Sequence, residues 1–212
     1  ANEAVTEWML KRRLPFIYRV HEVPAPESLE KVQRLARQAG VPLDVEAAIR
    51  SPGVLADFLN KIDKHPSKPL LHMTVLRSLK QAMYSATHDQ HYGLASRAYT
   101  HFTSPIRRYP DLIVHRLLKQ AAIHADTDID ADAKSGSSSR EKIQRKLQES
   151  AAHCSYRERL AVEAEREATK LKQVRLMTRH LGEEFNAVIV GMAQKGLFAQ
   201  IAEPYVEGLF SR

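Results

Sequence analysis

The sequence has 212 residues, 43% of them hydrophobic and 27% charged, and it carries a formal net charge of +7. That length and composition are typical of a globular protein with one sizeable domain and part of another. The only cysteine is Cys154, which excludes an internal disulfide, and no apolar run approaches the roughly 18 residues that a membrane helix needs. We therefore expect a cytoplasmic protein with no membrane partner. The positive charge favours nucleic acid as a partner, although a basic protein that binds nothing in particular would look the same.

The first half of the chain consists of short segments separated by proline and glycine, which end helices and open turns. In chain order the pattern predicts a helix over 1–12, a strand over 16–20, a helix opened by Pro24 and Pro26 that runs to Gly40, three short helices capped by Asp44, Ser51 and Ser67 that reach about Met83, and an extended segment over 92–102.

The second half contains the longest predicted element. An amphipathic helix is expected from Pro105 to about His124, followed by a polar connector over 125–139. Neither proline nor glycine occurs between Ser139 and Gly182, and apolar residues there recur at alternating spacings of four and three. That spacing predicts one long helix. Strands are expected over 185–190 and 197–201, and a third is expected to begin near Val206.

The segment His101-Phe-Thr-Ser-Pro-Ile-Arg-Arg-Tyr-Pro-Asp111 carries the clearest chemical signal. Ser104 followed by Pro105 predicts a helix start, where free N–H groups and the helix dipole create positive potential. Two arginines, Arg107 and Arg108, would add to that unfavourable charge unless an anion is bound. A helix start reinforced by guanidinium groups is a candidate phosphate site.

The alternative for these arginines is structural. Arg107 and Arg108 lie four and three residues before Asp111, which are the spacings of ion pairs on a helix. One aspartate cannot neutralise two arginines, so both interpretations stay open. Nearby aromatic side chains suit base stacking beside arginine, but each taken singly is more often part of a core. They are Tyr92, Tyr99, Phe102 and Tyr109.

Glu165 is a second candidate because it falls on the apolar line of the long helix, between Ala161 and Ala168. A carboxylate that faces inward needs a partner, which could be Arg107, a sugar hydroxyl or a metal ion. The alternative is a solvated helix face with pairs of opposite charge. The histidines lack the paired spacing of a zinc site, so we predict no metal site from these residues.

The segment from His101 to Leu112, with His115-Arg-Leu-Leu118, resembles the signature of the ribonuclease II / ribonuclease R (RNB) catalytic domain. Shorter segments agree with the resemblance in the same order. They are Ala1-Asn-Glu-Ala-Val5, Tyr18-Arg-Val-His21, His91-Tyr-Gly-Leu94, His153-Cys-Ser155 and Ala164-Glu-Arg-Glu167. Residues 185–212 are similar to the first strands of the OB-fold RNA-binding domain that follows the catalytic domain in this family.

The resemblance implies an α+β fold: the mostly helical C-terminal part of an RNB catalytic domain over 1–182, then the start of an OB-fold barrel over 183–212. It implies a 3′-to-5′ exoribonuclease that hydrolyses single-stranded RNA to nucleoside 5′-monophosphates with Mg²⁺. By the resemblance and the residue chemistry together, the catalytic candidates are Arg107 and Glu165, and the RNA-binding candidates are Ser104, Arg108, Tyr99, Phe102 and Tyr109.

The family's metal-binding aspartates are expected upstream of this sequence, which begins in a predicted helix and ends in a predicted strand as a fragment would. We therefore expect this chain alone to be inactive, and unstable or prone to aggregate, while the whole protein is an enzyme and a monomer. A catalytically inactive RNB-like protein that only binds RNA is the alternative. A helical DNA-binding protein is disfavoured, because nothing around the arginines has helix-turn-helix spacing.

Overall fold

The computed structural model describes residues 1–126 and 137–211, without the side chains of 124–126, 137–139 and 211. The described chain is α+β, with a helical first part followed by a small antiparallel sheet. The helices are α1 (Asn2–Lys11), α2 (Pro26–Gln38), α3 (Val45–Arg50), α4 (Pro52–Lys61), α5 (Lys68–Ser78), α6 (Tyr109–Asp126) and α7 (Ser137–Met177). The strands are β1 (Tyr18–Val20), β2 (Met83–Ser85), β3 (Ala187–Ala193), β4 (Gly196–Ile201) and β5 (Val206–Ser211).

The chain consists of two compact units, which are Ala1–Arg157 and Glu158–Arg212. The first unit has a helical core in which α2 to α5 pack around side chains such as Leu29, Phe58 and Ile62. Proline at the start of α2 and α4 and the Asp44 carboxylate at the start of α3, which accepts from Ala47 N at 3.0 Å, account for these short helices. The predicted series of short helices is confirmed, and Ser51 and Ser67 occupy the predicted cap positions, but only the Asp44 side chain makes a capping hydrogen bond.

Strand β1 organises the rest of the first unit. It pairs with β2 in antiparallel register, with Tyr18 opposite Ser85 and Val20 opposite Met83. Side chains alternate across a strand, so Phe16, Tyr18 and Val20 pack with Met9 of α1, whereas Ile17 packs with Leu147 and Ala151 of α7. The start of the long helix is thereby fixed against the chain that leads into β1.

The short strand β2 was not predicted, because helix α5 was expected to lead on to about Met83. The helix ends at Ser78, and the next residues form a ladder with β1, which is about 65 residues away in sequence. Backbone pairing across that distance leaves no local signal in a three-residue strand.

Helix α7 has 41 residues and is about 60 Å long, which confirms the predicted long helix. It gives way to a short 3₁₀ turn, Thr178–His180, and Gly182 then adopts a φ of +90°. The connector predicted over 125–139 lies largely outside the described residues. No helix in the part of the chain that the structure describes is long and apolar enough to cross a membrane.

The second unit contains the end of α7 and a three-stranded sheet in the order β3-β4-β5. Both neighbouring pairs are antiparallel, and a register shift interrupts the first pair between Ile189 and Gly191. The strands confirm the three that the sequence predicts at this end of the chain. The predicted division at residue 182 into two domains, and the OB-fold identity of the second, remain predictions.

Candidate nucleic-acid site

The arginine segment forms a tight turn before it becomes a helix. Arg107 N and Arg108 N both donate to Ser104 O, at 3.3 and 3.0 Å, and the α-helix begins only at Tyr109. The predicted helix start at Pro105 is therefore wrong by four residues. Pro110 explains the difference, because a proline is tolerated in the first turn of a helix but breaks the hydrogen-bond ladder further in.

The Asp111 side chain stabilises this turn by hydrogen bonds. Its carboxylate is completely buried, and its Oδ2 atom accepts hydrogen bonds from Ser104 N at 2.8 Å and from Arg108 Nη2 at 2.8 Å and Nε at 3.2 Å. The Arg108 side chain is only 20% exposed. A buried carboxylate needs compensation by a cation and hydrogen bonds, and Arg108 and Ser104 supply both at Oδ2, whereas the buried Oδ1 atom has no hydrogen-bond partner among the described residues.

Arg107 lies on the same turn but differs from Arg108 in its exposure to solvent. Its side chain is exposed, as is that of Ile106 next to it. Within residues 1–126 and 137–211 no hydrogen bond or ion pair of the Arg107 side chain is present, and the Asp111 carboxylate is bonded to Arg108. The structure thus separates two arginines that the sequence leaves equivalent: one stabilises the turn and the other presents a guanidinium group to solvent.

Two of the aromatic candidates differ in how much ring surface they expose. The ring of Phe102 stacks flat on His115, with centroids 3.8 Å apart and 7° between the planes. His115 is held in place because its Nε2 donates to Phe102 O at 2.8 Å. One face of Phe102 is therefore covered, whereas Tyr109 is 56% exposed at the start of α6.

Tyr99 and Phe102 are tied to α1 by one side chain. Asn2 Nδ2 donates to the Tyr99 hydroxyl at 2.6 Å, and Asn2 Oδ1 accepts from Phe102 N at 3.2 Å. Beside this link is an open groove of about 340 Å³. It is lined by Ala1, Asn2, Glu3, Leu94, Tyr99 and Thr103. The groove adjoins the arginine turn, because Arg108 Nη2 lies 3.4 Å from the Thr103 hydroxyl.

Histidines beneath the turn add little charge at neutral pH. Burial, and then the nearby cations Arg108 and Arg19, lower the pKa of His101 to about 4. Its Nδ1 atom is hydrogen bonded to the Tyr84 hydroxyl at 3.0 Å. Burial and the neighbouring His21 likewise lower the pKa of His91 to about 4. These two histidines therefore add little positive charge to that of the arginines.

Tyr84 connects this region to α7. Its backbone N–H donates to the Ser155 hydroxyl at 2.8 Å, and that hydroxyl donates to Ala151 O one turn earlier. Neither Tyr84 nor Asn2 was singled out as a site residue, and the role of His101 was not identified. Asn2 and His101 both occur in segments that carry the family resemblance, which is the signal that could have found them.

Glu165 does not face inward as the helical pattern suggests. Its side chain is exposed, and so are those of Ala161 and Ala168 on the same line. The apolar line is buried only in the first part of α7, at Leu147 and Ala151. Glu165 lies in the second unit, Glu158–Arg212, and its catalytic role remains a prediction.

The described residues do not by themselves fit a magnesium ion. Among them there is no group of three or more histidine, cysteine, aspartate or glutamate side chains placed to hold a metal. The Oδ2 atom of the buried Asp111 carboxylate is bonded to Arg108 and to Ser104 N.

Comparison with known proteins identifies similar sequences and folds. The RNB domain family matches residues 1–124. Ribonuclease R of Thermotoga maritima is 43% identical over 213 residues, an alignment that covers 99% of this chain and 28% of the relative. The chain thus spans little more than a quarter of that relative's length.

Solved structures share the architecture. Mycoplasma genitalium RNase R in complex with ribose-methylated single-stranded RNA matches with a TM-score of 0.86 and 27% identity, over 99% of this chain and 32% of the other. Yeast Ssd1, described as a pseudonuclease, matches with a TM-score of 0.75 at 23% identity, over 99% and 25%. The second likeness shows the fold alone.

Proposed function

This chain belongs to the RNB domain family, and on that premise we propose that it is part of a processive, metal-dependent 3′-to-5′ exoribonuclease. The whole protein hydrolyses single-stranded RNA to nucleoside 5′-monophosphates. The similarity to ribonuclease R sequences and to an RNase R structure containing single-stranded RNA supports this proposal.

The exposed guanidinium group of Arg107 is the observation that carries the proposal. Asp111 and Arg108 neutralise one another, so the turn offers one arginine whose charge is not offset by a carboxylate of the described residues. A guanidinium fork matches two oxygens of a phosphate group. We assign Arg107 to a phosphate near the RNA 3′ end, where it stabilises the negative charge that develops during hydrolysis.

The remaining assignments follow from the same proposal. Tyr109 and the open face of Phe102 stack on bases, and Tyr99 and Ser104 bind the RNA backbone. Arg108 supports RNA binding by holding Asp111 and with it the arginine turn, and Glu165 acts near the terminal nucleotides. Residues 1–182 form the C-terminal part of an RNB catalytic domain, and residues 183–212 form the first strands of an OB-fold. The whole enzyme is cytoplasmic and monomeric, and it takes its Mg²⁺ ligands from outside this chain.

The test uses the whole protein, a 5′-labelled single-stranded RNA and Mg²⁺. Arg107→Ala should lower the cleavage rate by about 10²-fold or more, because it removes a donor that stabilises the transition state. Arg77→Ala, which alters an exposed arginine on α5, is the matched control and should cleave like the unaltered protein. Cleavage should stop when metal is removed. Equal rates for the two variants would contradict the role of Arg107.

A catalytically inactive RNA-binding protein is the competing function, and the fold does not decide between them because a pseudonuclease shares it. Tight RNA binding by the whole protein without cleavage at any metal concentration would establish that alternative. Arg107 would then be a phosphate anchor, and its alanine variant would change affinity only.

A further inference from the structure

The orientation of the Asn2 side-chain amide is determined by its partners. Phe102 N–H can only donate, so the atom of Asn2 that faces it must be the carbonyl oxygen, Oδ1. The NH₂ group of Asn2 therefore faces the Tyr99 hydroxyl, 2.6 Å away, and donates to it. An exchange of oxygen and nitrogen would place two donors against each other at Phe102.

This orientation makes the Tyr99 hydroxyl an acceptor toward Asn2 and leaves its own proton available. A phenol can accept and donate at once. Among the residues that the structure describes, the Tyr99 O–H group has no acceptor. The tyrosine ring is held edge-on between His91 and His101, with centroid distances of 5.6 and 5.9 Å. Asn2 and these rings together hold the hydroxyl in place.

The Tyr99 side chain borders the open groove that adjoins the arginine turn, since Tyr99 and Asn2 both line it. We propose that Asn2 is a positioning residue that holds the Tyr99 hydroxyl as a hydrogen-bond donor to an oxygen of the RNA backbone, a phosphate oxygen or a ribose hydroxyl, bound in this groove. The inference rests on the proposed function, and it adds a backbone contact distinct from the Arg107 phosphate contact.

The experiment measures the affinity of the whole protein for a single-stranded RNA with divalent metal chelated, so that nothing is cleaved. Tyr99→Phe should weaken binding about 3- to 10-fold, the effect of one lost neutral hydrogen bond. Tyr92→Phe is the matched control, because the Tyr92 hydroxyl donates to Ala48 O inside the helical core. Its loss should lower the thermal midpoint and leave RNA affinity unchanged.

A double-variant comparison separates positioning from general stabilisation. If Asn2 acts through the Tyr99 hydroxyl, Asn2→Ala should weaken binding clearly in the unaltered protein and by less than about 2-fold in the Tyr99→Phe background. An equal loss in both backgrounds would show that Asn2 acts only through Phe102, and would overturn its role. If the Tyr99→Phe and Tyr92→Phe variants bind RNA with equal affinity, the Tyr99 hydroxyl is not a donor to the RNA.

Substituted RNA identifies the acceptor. With 2′-deoxy residues at the 3′ end, the effect of Tyr99→Phe disappears if the acceptor is a ribose hydroxyl and persists if it is a phosphate oxygen. Arg107→Ala separates this inference from the proposed function. If Arg107→Ala weakens binding and Tyr99→Phe does not, only the inference fails. If the unaltered protein binds no RNA, the proposed function fails as well.

Discussion

Arg107 and Arg108 show how one carboxylate assigns different roles to adjacent identical residues. Asp111 is completely buried and bonded to Arg108, while Arg107 is exposed on the same turn. Loss of Arg108 leaves the charge of Asp111 unpaired in the protein interior, whereas loss of Arg107 removes a group from the surface. The two arginines should therefore differ in stability as well as in RNA hydrolysis.

Arg108→Ala should destabilise the protein by about 3 kcal/mol, the lower end of the cost of breaking a buried ion pair, because Arg108 retains some exposure. Arg107→Ala should change the free energy of unfolding by less than about 0.5 kcal/mol. Denaturant unfolding of the whole protein carrying each change measures the difference. Similar midpoints for the two variants would show that Asp111 does not depend on Arg108.

Because of His101 and His91, the stability of the folded protein should decrease at mildly acid pH. Both have a pKa near 4 in the folded protein, where burial is the first cause, against about 6.5 in an unfolded chain. Between these values the unfolded chain binds more protons, so stability is complete above pH 6.5 and falls as the pH drops toward 4. Besides burial, the charges of Arg108 and Arg19 lower the His101 pKa, and Asp111 opposes them.

His101→Asn should reduce this dependence, because asparagine keeps an acceptor for Tyr84 but does not titrate. The fall in thermal midpoint between pH 7 and pH 5 should be smaller in the variant than in the unaltered protein, and smaller again when His91→Asn is added. All three proteins contain the same carboxylates, so the comparison reports on the histidines. Parallel pH profiles would exclude this contribution.

At the scale of elements, the turn after β2 depends on a close approach between Gly93 and His21. The His21 ring is fixed at both nitrogens, since Nε2 donates to Lys80 O at 2.5 Å and Nδ1 accepts from Gly93 N at 2.8 Å. A Cβ atom on Gly93 would lie 2.9 Å from His21 Nδ1. The end of β1 and the turn that carries Tyr92 into the helical core therefore meet at a position without room for a methyl group.

Gly93→Ala should destabilise the protein by about 1–3 kcal/mol, the cost of overpacking a fixed contact. Gly53→Ala is the control, because Gly53 lies in the first turn of α4 with its nearest neighbour atom, the Ser51 hydroxyl oxygen, 3.4 Å from the added Cβ. That change should be neutral or stabilising. Thermal midpoints of both variants test the contact, and equal midpoints would show that the His21 ring can move aside.

Across the whole molecule, the two units differ in how much core they contain. The first unit has three clusters of buried side chains. Among the described residues of the second unit, Ala199 is the only buried hydrophobic residue. Large apolar side chains on its sheet are exposed instead. They include Val188 (63%), Met192 (83%) and Phe210 (64%).

The isolated 212-residue chain should therefore self-associate, because exposed apolar sheet surface drives aggregation. Light scattering and gel filtration of the isolated chain should show aggregates at micromolar concentration, and Met192→Lys should reduce them. The whole protein serves as the reference. A monodisperse isolated chain with one cooperative thermal transition would contradict this expectation.

The sequence by itself determined the family, the α+β class and most helix positions. These depend on local signals: proline and glycine at helix ends, apolar residues at spacings of four and three, and a contiguous segment from His101 to Leu112. Such signals extend over a few turns and need no knowledge of distant residues. For the same reason the sequence identified two candidate arginines but could not distinguish them.

Only the tertiary structure decided what each candidate touches. Asn2 meets Tyr99 and Phe102 from 97 and 100 residues away, and Ser155 meets Tyr84 across 71. Burial of Asp111 selects Arg108 as its partner, while Glu165, in the part of α7 that belongs to the second unit, is exposed. These outcomes depend on which surfaces pack together, and packing between distant segments leaves no periodic trace in the residues involved.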